Sequence, residues 1–149
     1  MQYQILNKYF PCGSVLNTWY KTDEYKCELC SMDESLEHYF FDCQSSFNFW
    51  VSFKKWWTSI FKCEIRLSVI DVLLGIVNYV NDKMLDCLNF CILYGKKYIV
   101  ESKKAKSPLF FYDYQVKLKC RLEIEEYIYN SKGAIADFEN KWSIIVDLL

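Results

Sequence analysis

The sequence predicts a mostly α-helical protein, an irregular helical bundle with a knuckle of cysteine and histidine residues on its N-terminal side. The first reason is the scarcity of chain breakers, because the 149 residues include only four glycines and two prolines. The second is the recurrence of apolar residues at helical spacing through most of the chain. The third is a cluster of cysteines around the single histidine. With 52% hydrophobic and 19% aromatic residues, the chain can bury a substantial core.

Two short helices are expected before the cysteine cluster. Apolar residues recur near the helical period from Tyr3 to Phe10, and a proline and a glycine then end that run. Ser14 is a favourable N-cap for a second helix over Val15–Lys21. A helix that starts at the first residue, with no lead-in, suggests a fragment of a longer protein.

The cysteine cluster has the spacing C-x2-C-x7-H-x4-C. Its members are Cys27, Cys30, His38 and Cys43, here called the CCHC set. Zinc takes thiolate and imidazole ligands, and a structural site closes a tetrahedron with four of them. The spacing therefore predicts one structural Zn²⁺ in a CCHC zinc knuckle. The alternative is a chance cluster, either a disulfide or buried thiols beside a solvated histidine.

The second half of the CCHC set is expected on a helix. Ser31 and Glu34 have the S-x-x-E form of a capping box, which predicts a helix over Leu36–Phe41. Residues five positions apart point about 140° away from each other on an ideal helix. We therefore expect the helix to loosen near Cys43, or Cys43 to lie just past a break.

The chain is expected to divide into three stretches. Residues 1–24 hold the two lead-in helices, residues 25–45 form the CCHC zinc-binding module, and residues 46–149 form a helical C-terminal body. An aromatic-rich helix opens the body. Its stripe at helical spacing consists of Trp50, Phe53, Trp57, Ile60 and Phe61. Such a stripe usually packs in a core, although aromatic rings also stack on unpaired bases.

Four more helices are expected after this one. They span Ser68–Ile76 with an end near Gly75, Asp82–Lys106, Leu109–Asn130 and Ala134–Leu149, and Asn78–Asn81 is a linker. The helix from Leu109 follows a cap at Ser107 and a proline at its first position, Pro108. In the last helix one face carries Ile135, Phe138, Trp142, Ile145 and Leu149.

The helix over Asp82–Lys106 is the longest. Its apolar stripe consists of Leu85, Leu88, Ile92, Gly95 and Ile99, and Gly95 lets another helix come close. Cys87 and Cys91 lie one helical turn apart and could supply two ligands of a second metal site, but no histidine remains to complete such a site. We interpret both as core thiols, and Cys12 as a buried or idle thiol. The sequence does not indicate a role for Cys63 or Cys120.

The segment around the CCHC set resembles a known family. The matching residues are Cys27-x2-Cys30, Glu34-Ser35-x2-His38-x-Phe40-Phe41-x-Cys43 and Phe49-Trp50. They are similar to the zinc-binding domain that follows the polymerase in non-LTR retrotransposon reverse transcriptases, and in that family the metal ligands fall at the positions of the CCHC set. The likeness is specific over the zinc segment and weaker after about residue 65.

Two departures from the family bear on function. Gln44 stands where family members often have proline, and no adjacent Asp-Asp pair of a polymerase palm occurs in the chain. The resemblance therefore implies a C-terminal piece without its catalytic part, whose partner is the polymerase domain of a parent protein.

No catalytic constellation is present in the sequence. General acid–base catalysis most often uses histidine, and the single histidine belongs to the CCHC set. Zinc with four protein ligands has no open position for water, and neither a phosphate-binding G-x4-G-K run nor a G-x-S-x-G elbow occurs. We expect no enzyme activity and no small-molecule substrate. Glu123, Glu125 and Glu126 are interpreted as a solvated helix face.

Lysines near the end of the longest helix are the candidates for nucleic-acid binding. They are Lys96, Lys97, Lys103, Lys104 and Lys106. Positions 96 and 103, and positions 97 and 104, are two turns apart, so the stripe runs roughly 15 Å along one side of the helix. The formal net charge of the chain is -1, so binding to phosphates needs such a local patch. The alternative is an ordinary solvated helix end.

Two hypotheses for function follow. In the first, the chain is a non-catalytic accessory domain of a reverse transcriptase that contacts RNA or DNA. In the second, it is a structural or protein-interaction module that docks on a polymerase or self-associates. The residues from Met1 to Phe10 do not read as a signal peptide, and no apolar run is long enough to span a membrane. We therefore expect an intracellular protein, nuclear or cytoplasmic, that is not secreted.

Overall fold

The computed structural model describes residues 1–21, 26–77 and 82–146. Over these residues the chain forms seven α-helices and one π-helix, and no strand. The α-helices are α1 (Gln2–Leu6), α2 (Gly13–Tyr20), α3 (Gln44–Phe61), α4 (Val69–Leu74), α5 (Asp82–Lys104), α6 (Phe111–Ser131) and α7 (Ile135–Val146), with the π-helix at His38–Asp42. The predicted fold class is confirmed. The predicted linker over 78–81, the boundary at 24–25 and Leu149 lie outside the described residues.

Helix α3 carries the centre of the hydrophobic core. Its side chains Trp50, Phe53 and Trp57 are at most 1% exposed and belong to the cluster of buried residues that forms the core. The other buried core residues include Ile5 and Phe10 near the N-terminus, Leu88, Ile92 and Ile99 of α5, Tyr114, Leu118 and Leu122 of α6, and Phe138, Trp142 and Ile145 of α7. The aromatic stripe therefore packs in the core, and its buried rings are not accessible for stacking on unpaired bases.

Gly95 sets the approach of α5 to α3. A Cβ atom at this position would lie 2.9 Å from Cη2 of Trp50 and 3.2 Å from Cε1 of Phe49. Real Cβ atoms do not come so close, so a hydrogen is needed where the two helices meet. The predicted role of Gly95 is confirmed.

The two N-terminal helices differ from prediction in their ends. Helix α1 stops at Leu6, because Lys8 adopts a left-handed backbone conformation with a φ of +58° that does not continue an α-helix. Helix α2 begins at Gly13, so Ser14 lies inside the helix and its predicted N-cap role is wrong. The N-terminus of α2 is capped instead by Glu34, which is distant in sequence. Its carboxylate accepts a hydrogen bond from the Gly13 amide at 3.1 Å. The negative charge also suits the helix N-terminus.

The connection between α5 and α6 is longer than predicted. Helix α5 ends at Lys104, and α6 begins at Phe111 rather than after Pro108. The Tyr98 hydroxyl accepts from the Phe110 amide at 3.1 Å and donates to the Phe110 carbonyl at 2.9 Å. These bonds hold Phe110 in an extended conformation, so a helix cannot pass through it.

Lys96 is buried at the junction of three helices. The residue is 2% exposed, and its ammonium donates to the Leu73 carbonyl at 3.0 Å and to the side-chain oxygen of Gln2. The Gln2 amide donates to the same Leu73 carbonyl at 2.9 Å. Burial lowers the pKa of Lys96 to about 8, so the ammonium is still largely protonated at neutral pH. Lys96 therefore ties α1 and α4 to α5 and is not part of an exposed lysine stripe.

We predict that Lys96→Ala lowers the free energy of unfolding by about 2–4 kcal/mol, because it opens a cavity and removes a charged donor from buried acceptors. Lys97→Ala is the matched control, and it should change stability by less than about 0.5 kcal/mol because the Lys97 side chain is 57% exposed. Urea denaturation followed by circular dichroism measures both. Equal stabilities of the two variants would contradict a structural role for Lys96.

The pH dependence of the same comparison is also predicted. With its pKa lowered to about 8, folded Lys96 loses its proton before unfolded Lys96 does. Between pH 8 and pH 10 the unfolded state thus binds more protons, and stability rises with pH. The stability of the wild type relative to Lys96→Ala should therefore increase over this range, by at most about 1.4 kcal/mol per pH unit. A difference that stays flat or falls would contradict this assignment.

Candidate metal centre

A tight turn positions the first two residues of the CCHC set. The Cys27 amide donates to the Met32 carbonyl at 2.8 Å, and the Ser31 amide donates back to the Cys27 carbonyl at 2.8 Å. Ser31 adopts a φ of +60°, the left-handed conformation that closes the turn. Ser31 therefore belongs to the knuckle rather than to a capping box, and this part of the sequence prediction is wrong. The helix start is marked by Ser35 instead, whose hydroxyl accepts from the His38 amide at 3.1 Å.

The π-helix positions the other two residues. The Cys43 amide donates to the His38 carbonyl at 3.0 Å, a bond across five residues where an α-helix would span four. The wider turn brings residues five apart closer to one face than an α-helix would. The predicted loosening of the helix before Cys43 is confirmed.

Side chains from the helical body hold the π-helix in place. The Tyr39 carbonyl accepts from the Ser46 hydroxyl at 3.0 Å and from the Lys103 ammonium at 2.8 Å. The Phe40 carbonyl accepts from the indole of Trp50 at 2.7 Å. The donors come from α3 and α5, so the body and the metal centre are stabilised together. The sequence predicts no role for Ser46 and indicates Lys103 only as a member of the lysine stripe, because these long-range bonds have no local pattern.

The four side chains of the CCHC set meet at one point. One ligand atom from each lies within 4.8 Å of every other. The Cys27 and Cys43 sulfurs are 3.9 Å apart, and the Cys30 sulfur is 3.2 Å from Nε2 of His38. An ideal zinc tetrahedron would have edges of about 3.8 Å and 3.5 Å for these pairs. The sulfurs are too far apart for a disulfide, which needs about 2.05 Å. The residues therefore fit a four-ligand metal site.

The burial of the thiols affects how readily this site would bind a metal ion. Cys27 and Cys43 are buried, whereas Cys30 is exposed. Burial raises the pKa of the Cys43 thiol, and a backbone hydrogen bond from Ser45 and the charge of Lys103 partly oppose that rise. A metal takes thiolate, so binding must release the proton, and affinity falls at low pH.

An open groove of about 1330 Å³ lies beside the metal centre. Cys27 and Cys30 line one side of it. Its charged lining residues are Lys26, Glu28, Glu34, Lys103, Lys104 and Lys106. The predicted lysine stripe therefore splits: three members reach the groove, Lys96 is buried, and Lys97 is exposed and pairs with Glu101 at 3.6 Å. Lys26 also lines the groove and is absent from the predicted set, although its position next to Cys27 is a signal for it.

The remaining buried thiols lie in the hydrophobic core. Cys12, Cys87 and Cys91 are at most 4% exposed, which confirms their interpretation as buried or core thiols. Burial raises the pKa of Cys91 well above its ordinary value, so this thiol stays protonated. Within the described ranges, only the CCHC set brings three or more metal-binding side chains together.

Comparisons of the chain with family models, with curated proteins and with solved structures found no match. The resemblance to the reverse transcriptase zinc-binding domain therefore stays a prediction. Among the described helices, none combines the length and the apolar character that crossing a bilayer requires.

We predict that the purified chain holds one metal ion, and that Cys30→Ser and His38→Ala each lose it because three ligands bind far more weakly than four. The loss should unfold residues 26–43, since metal binding at small structural sites supplies on the order of 10 kcal/mol. Elemental analysis and hydrogen exchange measure the two effects. Cys120→Ser, an exposed thiol outside the site, is the control and should keep the metal. Equimolar metal in His38→Ala would contradict the ligand assignment.

Proposed function

We propose that this chain is a non-catalytic zinc-binding accessory domain of a retrotransposon-type reverse transcriptase, which contacts RNA or DNA through the groove beside its metal site. The observation that carries the proposal is the meeting of two features far apart in sequence. Lys103 and Lys104 at the end of α5, and Lys106 just after it, line the same groove as Cys27 and Cys30. A single-stranded RNA or DNA lying in that groove would contact both the lysines and the metal-binding knuckle.

The donor set supports zinc as the metal. Three cysteine sulfurs and one imidazole within 4.8 Å of one another are typical of structural zinc, and hard cations such as Mg²⁺ and Ca²⁺ prefer oxygen ligands. Four protein ligands leave no position for a reacting water. The bound ion would therefore fix the knuckle, and catalysis would belong to the polymerase domain of the parent protein.

The charge balance of the groove favours an anion. Four lysines less two glutamates leave a charge of +2 on its lining. Zinc with three thiolates contributes -1, so the net is about +1. Lys106 pairs with Glu28 at 3.2 Å, but both side chains are at least 69% exposed, so a phosphate can replace the glutamate at little cost. Lys26, Lys104 and Lys106 are thus the lysines best placed to contact a backbone.

A second candidate function is a protein-interaction module, and an apolar groove supports it. The groove holds about 350 Å³ and lies between α1, α2 and α4. Leu6, Ile70 and Leu74 line it and are each more than half exposed. The polymerase domain of the parent protein is the partner we infer for this groove. Either function suits the intracellular location expected from the cysteines.

We predict that the chain binds a labelled 20-nucleotide RNA or DNA strand, and that Lys104→Ala/Lys106→Ala weakens this binding about tenfold at 50 mM salt. Each lost phosphate contact should also reduce the slope of log affinity against log salt by about 0.7. Fluorescence anisotropy over a salt series measures both quantities. The control is Lys97→Ala/Lys117→Ala, which removes the same charge outside the groove.

Three outcomes of this titration are informative. A selective loss in the groove variant supports the proposed nucleic-acid contact. Equal losses in both double variants would reduce the interaction to general charge attraction and reject the groove. No binding at 50 mM salt would favour the protein-interaction function.

A further inference from the structure

Helix α6 is apolar on two opposite faces. One face packs in the core through Tyr114, Leu118 and Leu122, which are at most 2% exposed. The opposite face carries five residues that the core leaves exposed: Tyr112, Val116, Cys120, Ile124 and Tyr127. Tyr112 and Tyr127 are 73% and 74% exposed, and the two aliphatic residues are 44% and 52% exposed. We call these five residues the outer stripe.

The outer stripe continues along most of the helix. Its members follow one another at intervals of three or four residues, so they form one line on the surface. From Tyr112 to Tyr127 the line is about 22 Å long at 1.5 Å per residue. An apolar helix face normally packs against a partner, and here the described chain covers only one of the two apolar faces of α6. The outer stripe therefore has the form of an interface.

The order of residues in the outer stripe is nearly the same in both directions. An aromatic residue stands at each end, an aliphatic residue lies inside each, and the small Cys120 stands in the middle. A twofold interface brings one surface against its own copy, and two helices related in this way run antiparallel across the axis. With the axis at Cys120, Val116 lies opposite Ile124 of the second copy, and Tyr112 lies opposite position 128, one residue from Tyr127 of the second copy.

Charges beside the outer stripe favour the same antiparallel pairing. Lys119 and Glu123 are exposed on one flank of the stripe. In the antiparallel arrangement Lys119 comes within one helical turn of Glu123 of the second copy. A parallel arrangement in register would instead place each charge against its own kind, which costs free energy.

The size of the outer stripe fits a modest dimer. Two largely exposed tyrosines and the three smaller side chains present on the order of 500 Å² per copy. Two copies would then bury about 1,000 Å², the lower limit for a specific interface. The small central cysteine lets the helices approach closely, as small residues do at helix crossings.

We propose that a second copy of this chain docks on the outer stripe, forming a twofold dimer through antiparallel α6 helices with Cys120 facing Cys120 across the axis. The proposal is independent of the nucleic-acid groove, because no α6 residue lines that groove.

Sedimentation equilibrium from 5 to 500 μM tests the proposal on the whole chain. We expect concentration-dependent dimers, and at least a tenfold rise in the dissociation constant for Val116→Lys and for Ile124→Lys. The control is Val77→Lys, which places the same charge on an apolar residue that is 83% exposed and lines neither groove, and this variant should dimerise normally. Circular dichroism checks that each variant is folded. A chain that stays monomeric at 500 μM, or dimers that both stripe variants leave unchanged, would overturn the proposal.

Cross-linking provides a second measurement that needs no destabilising change. A short bis-maleimide should link two wild-type copies through their Cys120 thiols and give a covalent dimer on a denaturing gel. Cys120→Ser should remove that product, and Cys63→Ser should keep it. A covalent dimer that persists in Cys120→Ser would place the contact elsewhere and reject the twofold axis at Cys120.

Discussion

Four ligand atoms from two different backbone structures must reach one point, and the hydrogen bond from the Cys43 amide to the His38 carbonyl makes this possible. In a regular α-helix these two side chains would diverge. The π-turn brings them together, and the turn at Ser31 does the same for Cys27 and Cys30. Both local structures are less favourable than regular backbone, so each needs support from its surroundings. That requirement accounts for the hydrogen bonds that residues of α3 and α5 make to the π-helix.

The support comes from residues distant in sequence. Ser46, Trp50 and Lys103 donate to carbonyls of the π-helix, and Glu34 couples the knuckle to the start of α2. Trp50 is in turn held by the close approach of α5 at Gly95. The metal centre is thus continuous with the core, and the knuckle and the body depend on each other for stability.

Features that depend on local spacing could be predicted from the sequence. The CCHC set, the loosened helix at Cys43 and the glycine at the helix contact each follow from residues a few positions apart. Features that depend on burial could not. Lys96 has the same spacing as its neighbours in the lysine stripe, and only the tertiary fold shows that it faces Gln2 and Leu73 instead of solvent. Glu34 likewise matched a capping box, but it caps a helix that begins 21 residues earlier in the chain.

Lys103 belongs both to the groove and to the metal centre. Its ammonium bonds the Tyr39 carbonyl and lies 4.0 Å from the centre of the Tyr39 ring, one residue from His38. An anion that drew this ammonium away would loosen the ligand geometry, whereas one that bound it in place would tighten it. Thermodynamic reciprocity then requires that the ion and the anion change each other's affinity by the same factor and in the same direction.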